Sequence, residues 1–309
     1  MRRLPLYLSV LLAICTQRVH AQRPEKGKDH YITIDGAQIF VRIVGQGEPL
    51  LILHGGPGMS HDYLAPQFIG ELSGDFQLIF FDQRASGRSS GVQDTARLTM
   101  NQFVRDIELL RNELKLKQVN LLGHSFGGLL AMYYAVTYPD HVKRLLLIDT
   151  SPASWEMNFP FYRKALQERQ TKEDQDEMAR LKQMENFATS PLLLDKYLKI
   201  AFHPYFVKPK LSEQLTLGID TRWIVNFNIT NDRVWNNLGK YDIHDQLTKI
   251  KSPTLVLHGD QSIIDPEGAK MIAAKISGAT LVILKNVGHF PYVEDPTGFT
   301  SAVKSFMKK

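Results

Sequence analysis

The chain has 309 residues, 43% of them hydrophobic, and a formal charge of +5, an ordinary globular composition that can bury one large core or one core carrying a modest inserted domain. Lys and Arg are scattered rather than gathered on one periodic face, so the basic balance gives no sign of a nucleic-acid partner. Cys15 is the only cysteine.

Met1 to Ala21 has the pattern of a secretory signal peptide: Arg2 and Arg3, then the apolar run Leu4–Ile14, then Val19-His20-Ala21 with small residues at −3 and −1 of a cut before Gln22. The apolar run is about half the ~20 residues that a membrane-spanning helix needs. Ile14 is too bulky for the small residue that normally precedes a lipidated cysteine, which argues against lipidation at Cys15. Cleavage removes Arg2, Arg3 and Arg18 and lowers the formal charge to +2. It also removes Cys15, so the mature chain has neither a disulfide nor a thiol for catalysis. A secreted or periplasmic location is expected, with no stable membrane span.

After a polar linker, Gln22 to Asp29, the alternating runs Tyr31–Ile34 and Gln38–Val44 flank Asp35-Gly36 and predict an antiparallel hairpin. Leu50–Leu53 is a short apolar strand leading into His54-Gly55-Gly56-Pro57-Gly58. Gln77–Phe81 is another, leading into the segment Asp82 to Ser89. Thr99 with Gln102 forms a capping box that opens a helix. Strands Val119–Leu122 and Arg144–Ile148 flank a helix-forming run, Leu129–Val136. Apolar strands alternating with helices predict a parallel sheet covered on both faces, its reactive residues at the carboxyl ends of the strands. The rhythm breaks at Pro152. From 152 to 245 the sequence is aromatic and helical and is expected to be an inserted cap between core segments 22–151 and 246–309. Alternation resumes with strand Thr254–His258, a helix near Pro266–Ile276, strand Thr280–Leu284 and a last helix.

Gly123-His124-Ser125-Phe126-Gly127 joins the strand Val119–Leu122 to the helix after it. So tight a strand-to-helix turn needs glycines for close backbone approach and strains its central residue, which lifts the Ser125 hydroxyl above the sheet as the expected nucleophile. A serine hydroxyl needs a base. His289, in the loop after the last strand, emerges at the same sheet edge, and the order Ser then His suits it. The other histidines beside these motifs, His124 and His54, are expected to have structural roles. Negative charge developing on an acyl oxygen requires backbone donors, expected to be the N–H of Phe126 and that of Gly56. No Gly-Lys-Ser/Thr follows the glycine loop, which sets aside phosphate binding. Neither metal nor organic cofactor is implied.

These motifs, His54 to Gly58, Asp82 to Ser89, Gly123 to Gly128 and Gly288-His289, resemble the α/β-hydrolase fold and, within it, the proline iminopeptidases and their relatives. The resemblance spans nearly everything from Tyr31 onward except the cap. It implies a serine hydrolase that cleaves an ester or amide through an acyl-enzyme, with a peptide carrying N-terminal proline as the best single substrate expectation. There are three departures. Ala85 stands where glycine is usual. Gly-His-Ser-Phe-Gly replaces the Gly-Gly-Ser-Trp-Gly common in proline iminopeptidases. Ser262 occupies the position, three residues after Gly259, where the family usually carries its acid. Three carboxylates could substitute for the missing one. They are Asp149 at the end of the strand Arg144–Ile148, as in certain haloalkane dehalogenases, Asp260, and Asp265. Asp260 lies close enough to its strand to brace the turn, and Asp265 before Pro266 has the pattern of a helix N-cap.

An aminopeptidase must also hold a cationic amine, so the cap should present a carboxylate beside an apolar pocket. Glu185, with apolar neighbours, is the candidate, and Phe159, Phe161, Tyr162, Trp223, Phe227 and Trp235 are candidate lining. Two further readings stay open: a small-molecule esterase whose cap excludes peptides, and a catalytically silent member that binds a ligand.

Overall fold

The computed structural model describes residues 27–91 and 94–308. The expected signal peptide, Cys15 included, lies outside them. The strands are Lys28–Ile34 (β1), Ala37–Val44 (β2), Glu48–Leu53 (β3), Phe76–Phe81 (β4), Val119–His124 (β5), Val142–Ile148 (β6), Thr254–Gly259 (β7) and Thr280–Leu284 (β8). They form one sheet in the order β1-β2-β4-β3-β5-β6-β7-β8. β2 runs antiparallel to both its neighbours and the remaining pairs are parallel.

Side-chain burial explains the order. β5 and β7 are buried along their whole length, as a central parallel strand covered on both faces must be, whereas β1 is mostly exposed and forms an edge. β1 begins at Lys28, inside the region expected to be a polar linker. An edge strand needs little apolar content to pair, and here the backbone ladder is reinforced by an ion pair between Asp29 and Arg42, 2.7 Å apart and directly opposite.

The helices are Ala65–Leu72 (α1), Met100–Glu113 (α2), Phe126–Thr137 (α3), Trp155–Arg169 (α4), Lys172–Lys182 (α5), Pro191–Ala201 (α6), Thr221–Leu238 (α7), Pro266–Lys275 (α8), Pro291–Glu294 (α9) and Pro296–Met307 (α10). Two apolar clusters form the core. One gathers α2, α3 and α8 against the sheet, and the other gathers α1 and α10. α3 is buried around most of its circumference, which suits a helix whose neighbours cover it on several sides. Thr99 caps α2 through the Gln102 N–H, 3.2 Å away, but the Gln102 side chain reaches Asp35 and Asp106 instead of returning to Thr99. Only half of the expected capping box therefore forms. A complete one opens α5, between Thr171 and Asp174.

α4 to α7 form a helical excursion between β6 and β7. Its two ends are tied by a bridge between Ser154 and Asp242, with Trp155 N–H donating to Tyr241 and Ile243 N–H to Ala153. Thr230 on α7 donates to the Ala85 carbonyl at 3.1 Å, joining the excursion to the loop after β4. Among the described residues no helix is long and apolar enough to cross a membrane.

Candidate active site

Ser125, Asp149 and His289 follow β5, β6 and β8, all at the carboxyl edge of the sheet. Ser125 sits at φ 57°, ψ −124°, a conformation that L residues adopt at a cost of order 1–3 kcal/mol and hold only where the surroundings enforce it. Here they do. A Cβ on Gly123 would collide with the carbonyl oxygen of Gly127, and one on Gly127 with that of Leu53. Only glycine at both sites lets β5, the turn and α3 pack so closely.

His289 Nδ1 lies 2.7 Å from Asp149 Oδ1. With Nδ1 donating to the carboxylate, Nε2 is left free to accept a proton. Asp149 is fully buried and takes two further hydrogen bonds, from Ser262 Oγ at 2.6 Å to Oδ1 and from the Gly259 N–H at 2.9 Å to Oδ2. Burial acts to raise its pKa. Interaction with His258 and His289, together with the hydrogen bonds from His289 and the Gly259 N–H, outweighs burial and holds the carboxyl at about 2. Ser262 Oγ also accepts the Ile264 N–H at 3.0 Å, so the side chain at the family's usual acid position is locked against the acid from the neighbouring strand. The rival acids are engaged elsewhere. Asp260 accepts the Asn286 N–H at 2.7 Å and braces the turn, while Asp265 caps α8 through the Glu267 N–H at 2.9 Å.

Two residues given no catalytic part by sequence patterns complete the surroundings. His124 Nε2 faces the His289 carbonyl at 2.9 Å and must donate to it, which leaves Nδ1 to accept from the Tyr63 hydroxyl at 2.9 Å. The Tyr63 oxygen in turn accepts the Gly55 N–H at 2.5 Å. Burial, with His289 nearby, pushes His124 down to about 3, in keeping with this neutral tautomer. The chain of bonds ties the loop after β3, the serine turn and the histidine loop together. It also occupies the Gly55 amide, leaving the next one, Gly56, as the donor to consider beside Phe126. Sequence carries one signal of this link, His124 beside the serine; Tyr63 has none.

These loops open into a cavity of about 340 Å³ lined by Gly55, Gly56, Ser125, Phe126 and His289 at its floor. α4 contributes Asn158, Phe159 and Tyr162 to its walls, and α7 contributes Phe227, Asn231 and Trp235. Tyr205 and Phe290 complete the side near the histidine. Of the expected lining, Phe161 packs instead against Ala165, Ile263 and Ile264, and Trp223 is buried in the core, stacked on Phe227 with ring centroids 4.6 Å apart. Glu185 is not brought to the site. It lies exposed in the turn after α5, outside the cavity lining. Its apolar neighbours in sequence fall in that turn and the following 3₁₀ segment, where adjacency along the chain does not create a shared pocket. Among the described residues no group of three or more His, Cys, Asp or Glu is arranged to hold a metal ion.

The α/β-hydrolase fold family matches over residues 48–184. A proline iminopeptidase of Pestalotiopsis fici is 31% identical over 289 residues, 90% of this chain and 99% of the relative. One of Lactobacillus acidophilus is 30% identical over 288 residues, 88% and 95% of the two chains. Among solved structures, a thermophilic esterase from Thermogutta terrifontis superposes with a TM-score of 0.63 at 25% identity, over 91% of this chain and 98% of that one. The chain belongs to the α/β-hydrolase family, in the company of the proline iminopeptidases, and is a hydrolase.

Proposed function

We propose that this α/β-hydrolase cleaves an ester or amide bond through an acyl-enzyme, with Ser125 as nucleophile, His289 as general base and Asp149 as the acid that orients it. The observation that carries the proposal is the 2.7 Å bond from His289 Nδ1 to Asp149, made beside a strained serine turn that opens into the same cavity. His289 Nε2 takes the Ser125 proton as the oxygen attacks the carbonyl carbon. The N–H groups of Gly56 and Phe126 stabilise the oxyanion, an effect typically worth about 3–4 kcal/mol per donor. The imidazolium, stabilised by Asp149, then protonates the leaving group, and water releases the acyl group by the reverse sequence.

The relatives support peptides with an N-terminal proline as the first substrate class to assay. A second reading, a small-molecule esterase, is favoured by the absence of Asp or Glu from the lining of the cavity among the described residues. Turnover of a proline arylamide against a short-chain aryl ester separates the two, and cleavage of the ester alone ends the peptidase reading. Labelling with a fluorophosphonate tests the chemistry itself. A protein that binds ligand without catalysis leaves Ser125 unmodified. Arg2, Arg3, the Leu4–Ile14 run and the Val19-His20-Ala21 site support export to the periplasm or medium. An intact N-terminus on the protein recovered from cells would refute that part.

A further inference from the structure

We infer that the site is built for an uncharged acyl group: the substrate is a neutral ester whose acyl part is apolar and compact, and a free amino group beside the scissile carbonyl is selected against. This rests on the serine-hydrolase reading above and decides between its two substrate classes.

The first observation is the charge of the cavity. Among the described residues, none of those lining it is Asp, Glu, Lys or Arg. An ammonium carried into such a cavity gives up its hydration without meeting an opposite charge, a transfer that proteins permit only when the ion is paired.

The second is that the acids beside the histidine, Asp149 and Glu294, and several in the helical excursion are committed elsewhere. Asp149 is fully buried behind His289. Glu294 accepts the N–H groups of Val207 and Gly288, at 2.8 and 2.6 Å, and braces the histidine loop. In the helical excursion, Asp174 pairs with His203 at 2.7 Å, Glu177 bonds Arg180 and Lys196, and Asp220 caps α7. Each of these carboxylates would have to abandon its partners before it could serve an amine in the cavity.

The third is what the lining offers in their place. The Tyr162 and Tyr205 hydroxyls bond each other at 2.6 Å, and burial raises both phenols, so neither supplies a phenolate. Asn158 and Asn231 provide neutral amides, with Phe159 and Trp235 as apolar wall. A cavity of about 340 Å³ is near the lower end for small-molecule sites, which suits a compact acyl group rather than an extended chain.

The test uses two esters that differ at one atom, 4-nitrophenyl cyclopentanecarboxylate and 4-nitrophenyl L-prolinate, with the full chain at about pH 6, where the prolyl nitrogen is cationic. Each kcat/KM is normalised to the ester's own spontaneous hydrolysis. The carbocyclic ester is expected to be favoured by about tenfold or more, and Asn158→Asp, which places a carboxylate in the lining, is expected to move the preference toward the prolyl ester by about tenfold. Equal or faster turnover of the prolyl ester by the parent protein overturns the proposal, whether its amine is held by aromatic faces or otherwise. The corresponding amides are compared as protectants against fluorophosphonate labelling of Ser125. Better protection by prolinamide also overturns it. A protein that cleaves neither ester and is not labelled refutes the serine-hydrolase reading itself.

Discussion

Replacing Asp149 by Asn should abolish most turnover while keeping the fold, and the geometry says how much. Asp149 Oδ1 accepts from His289 Nδ1 at 2.7 Å and from Ser262 Oγ at 2.6 Å. The Gly259 N–H donates to Oδ2 at 2.9 Å, so an amide there keeps its oxygen on that N–H and turns its NH₂ toward the imidazole and the Ser262 hydroxyl. His289 is then driven to carry its proton on Nε2, where it cannot accept one from Ser125. Wrong-tautomer substitutions of this kind cost on the order of 10³–10⁴ in kcat, about 4–5 kcal/mol of transition-state stabilisation. The remedy follows from the same distances. Ser262 Oγ sits against the oxygen that holds the imidazole, so a carboxylate grown from that position reaches the same Nδ1, and Ser262→Asp added to Asp149→Asn should recover part of the loss. Ser262→Asp alone places two buried carboxylates in contact, and one of them must stay protonated. The assay is kcat with a 4-nitrophenyl ester, with thermal unfolding run on each variant to confirm folding. A second readout is acid stability. The folded carboxyl titrates at about 2 against 3.8 for a free one, so its contribution of about 2 kcal/mol is present above about pH 4 and is lost as pH falls toward 2. Asp149→Asn should flatten that part of the stability curve. Parent-level kcat in Asp149→Asn, with Asp260→Asn inactive, would show that the acid comes from the loop after β7 and would refute the reasoning.

Ser125→Ala and His289→Ala should each abolish turnover, with unfolding temperatures near the parent's. Activity close to parent in Ser125→Ala, with contamination excluded, ends the nucleophile assignment. Tyr63→Phe removes the oxygen that accepts the Gly55 N–H and donates to His124, so a stability loss of about 1–3 kcal/mol and a kcat reduced about tenfold are expected, checked by denaturant unfolding and ester turnover. Ala85 stands at φ 55°, so the turn where glycine is usual holds its methyl in left-handed backbone. Ala85→Gly should therefore stabilise by about 1 kcal/mol, and an unchanged or lower unfolding midpoint would refute that.

The sheet and the serine were legible because their signals are local. A buried strand shows as a continuous apolar run, and the turn at Ser125 demands glycine on both sides within five residues, where the colliding atoms are also close in sequence or on the adjacent strand. The placement of His289 at the carboxyl edge was legible for a related reason: the loop that follows a short apolar parallel strand leaves the sheet at one edge. Pocket chemistry carried no such signal. Phe159 and Phe161 are two residues apart with similar neighbours, yet one lines the cavity and the other packs on Ile263 and Ile264, a distinction set by how the helical excursion folds back. Glu185 rests on the same kind of local signal and is exposed.

The choice of acid lies between these cases. β6 and β7 are neighbours in the sheet, paired from Leu145 with Thr254 to Ile148 with Leu257, so the residues just beyond them lie about one strand spacing apart, ~4.8 Å. Either strand end can therefore present a carboxylate to one imidazole from the loop after β8, and the sequence alone offers both. The difference is made by the second partner. Once the acid is on Asp149, the vacated position must satisfy a buried carboxylate rather than supply one, and a hydroxyl can do so where a second acid would repel it and an aliphatic side chain would remove one of the two donors to Oδ1. Ser262 meets that requirement with one donated and one accepted hydrogen bond. Serine at the usual acid position is thus the expected counterpart of an acid on the neighbouring strand. Ser262→Ala should consequently lower kcat by several-fold and stability by about 1–2 kcal/mol through Asp149, while Ser262→Thr, which keeps the hydroxyl, should restore most of the kcat. Equal kcat in all three proteins would show that the serine merely fills space.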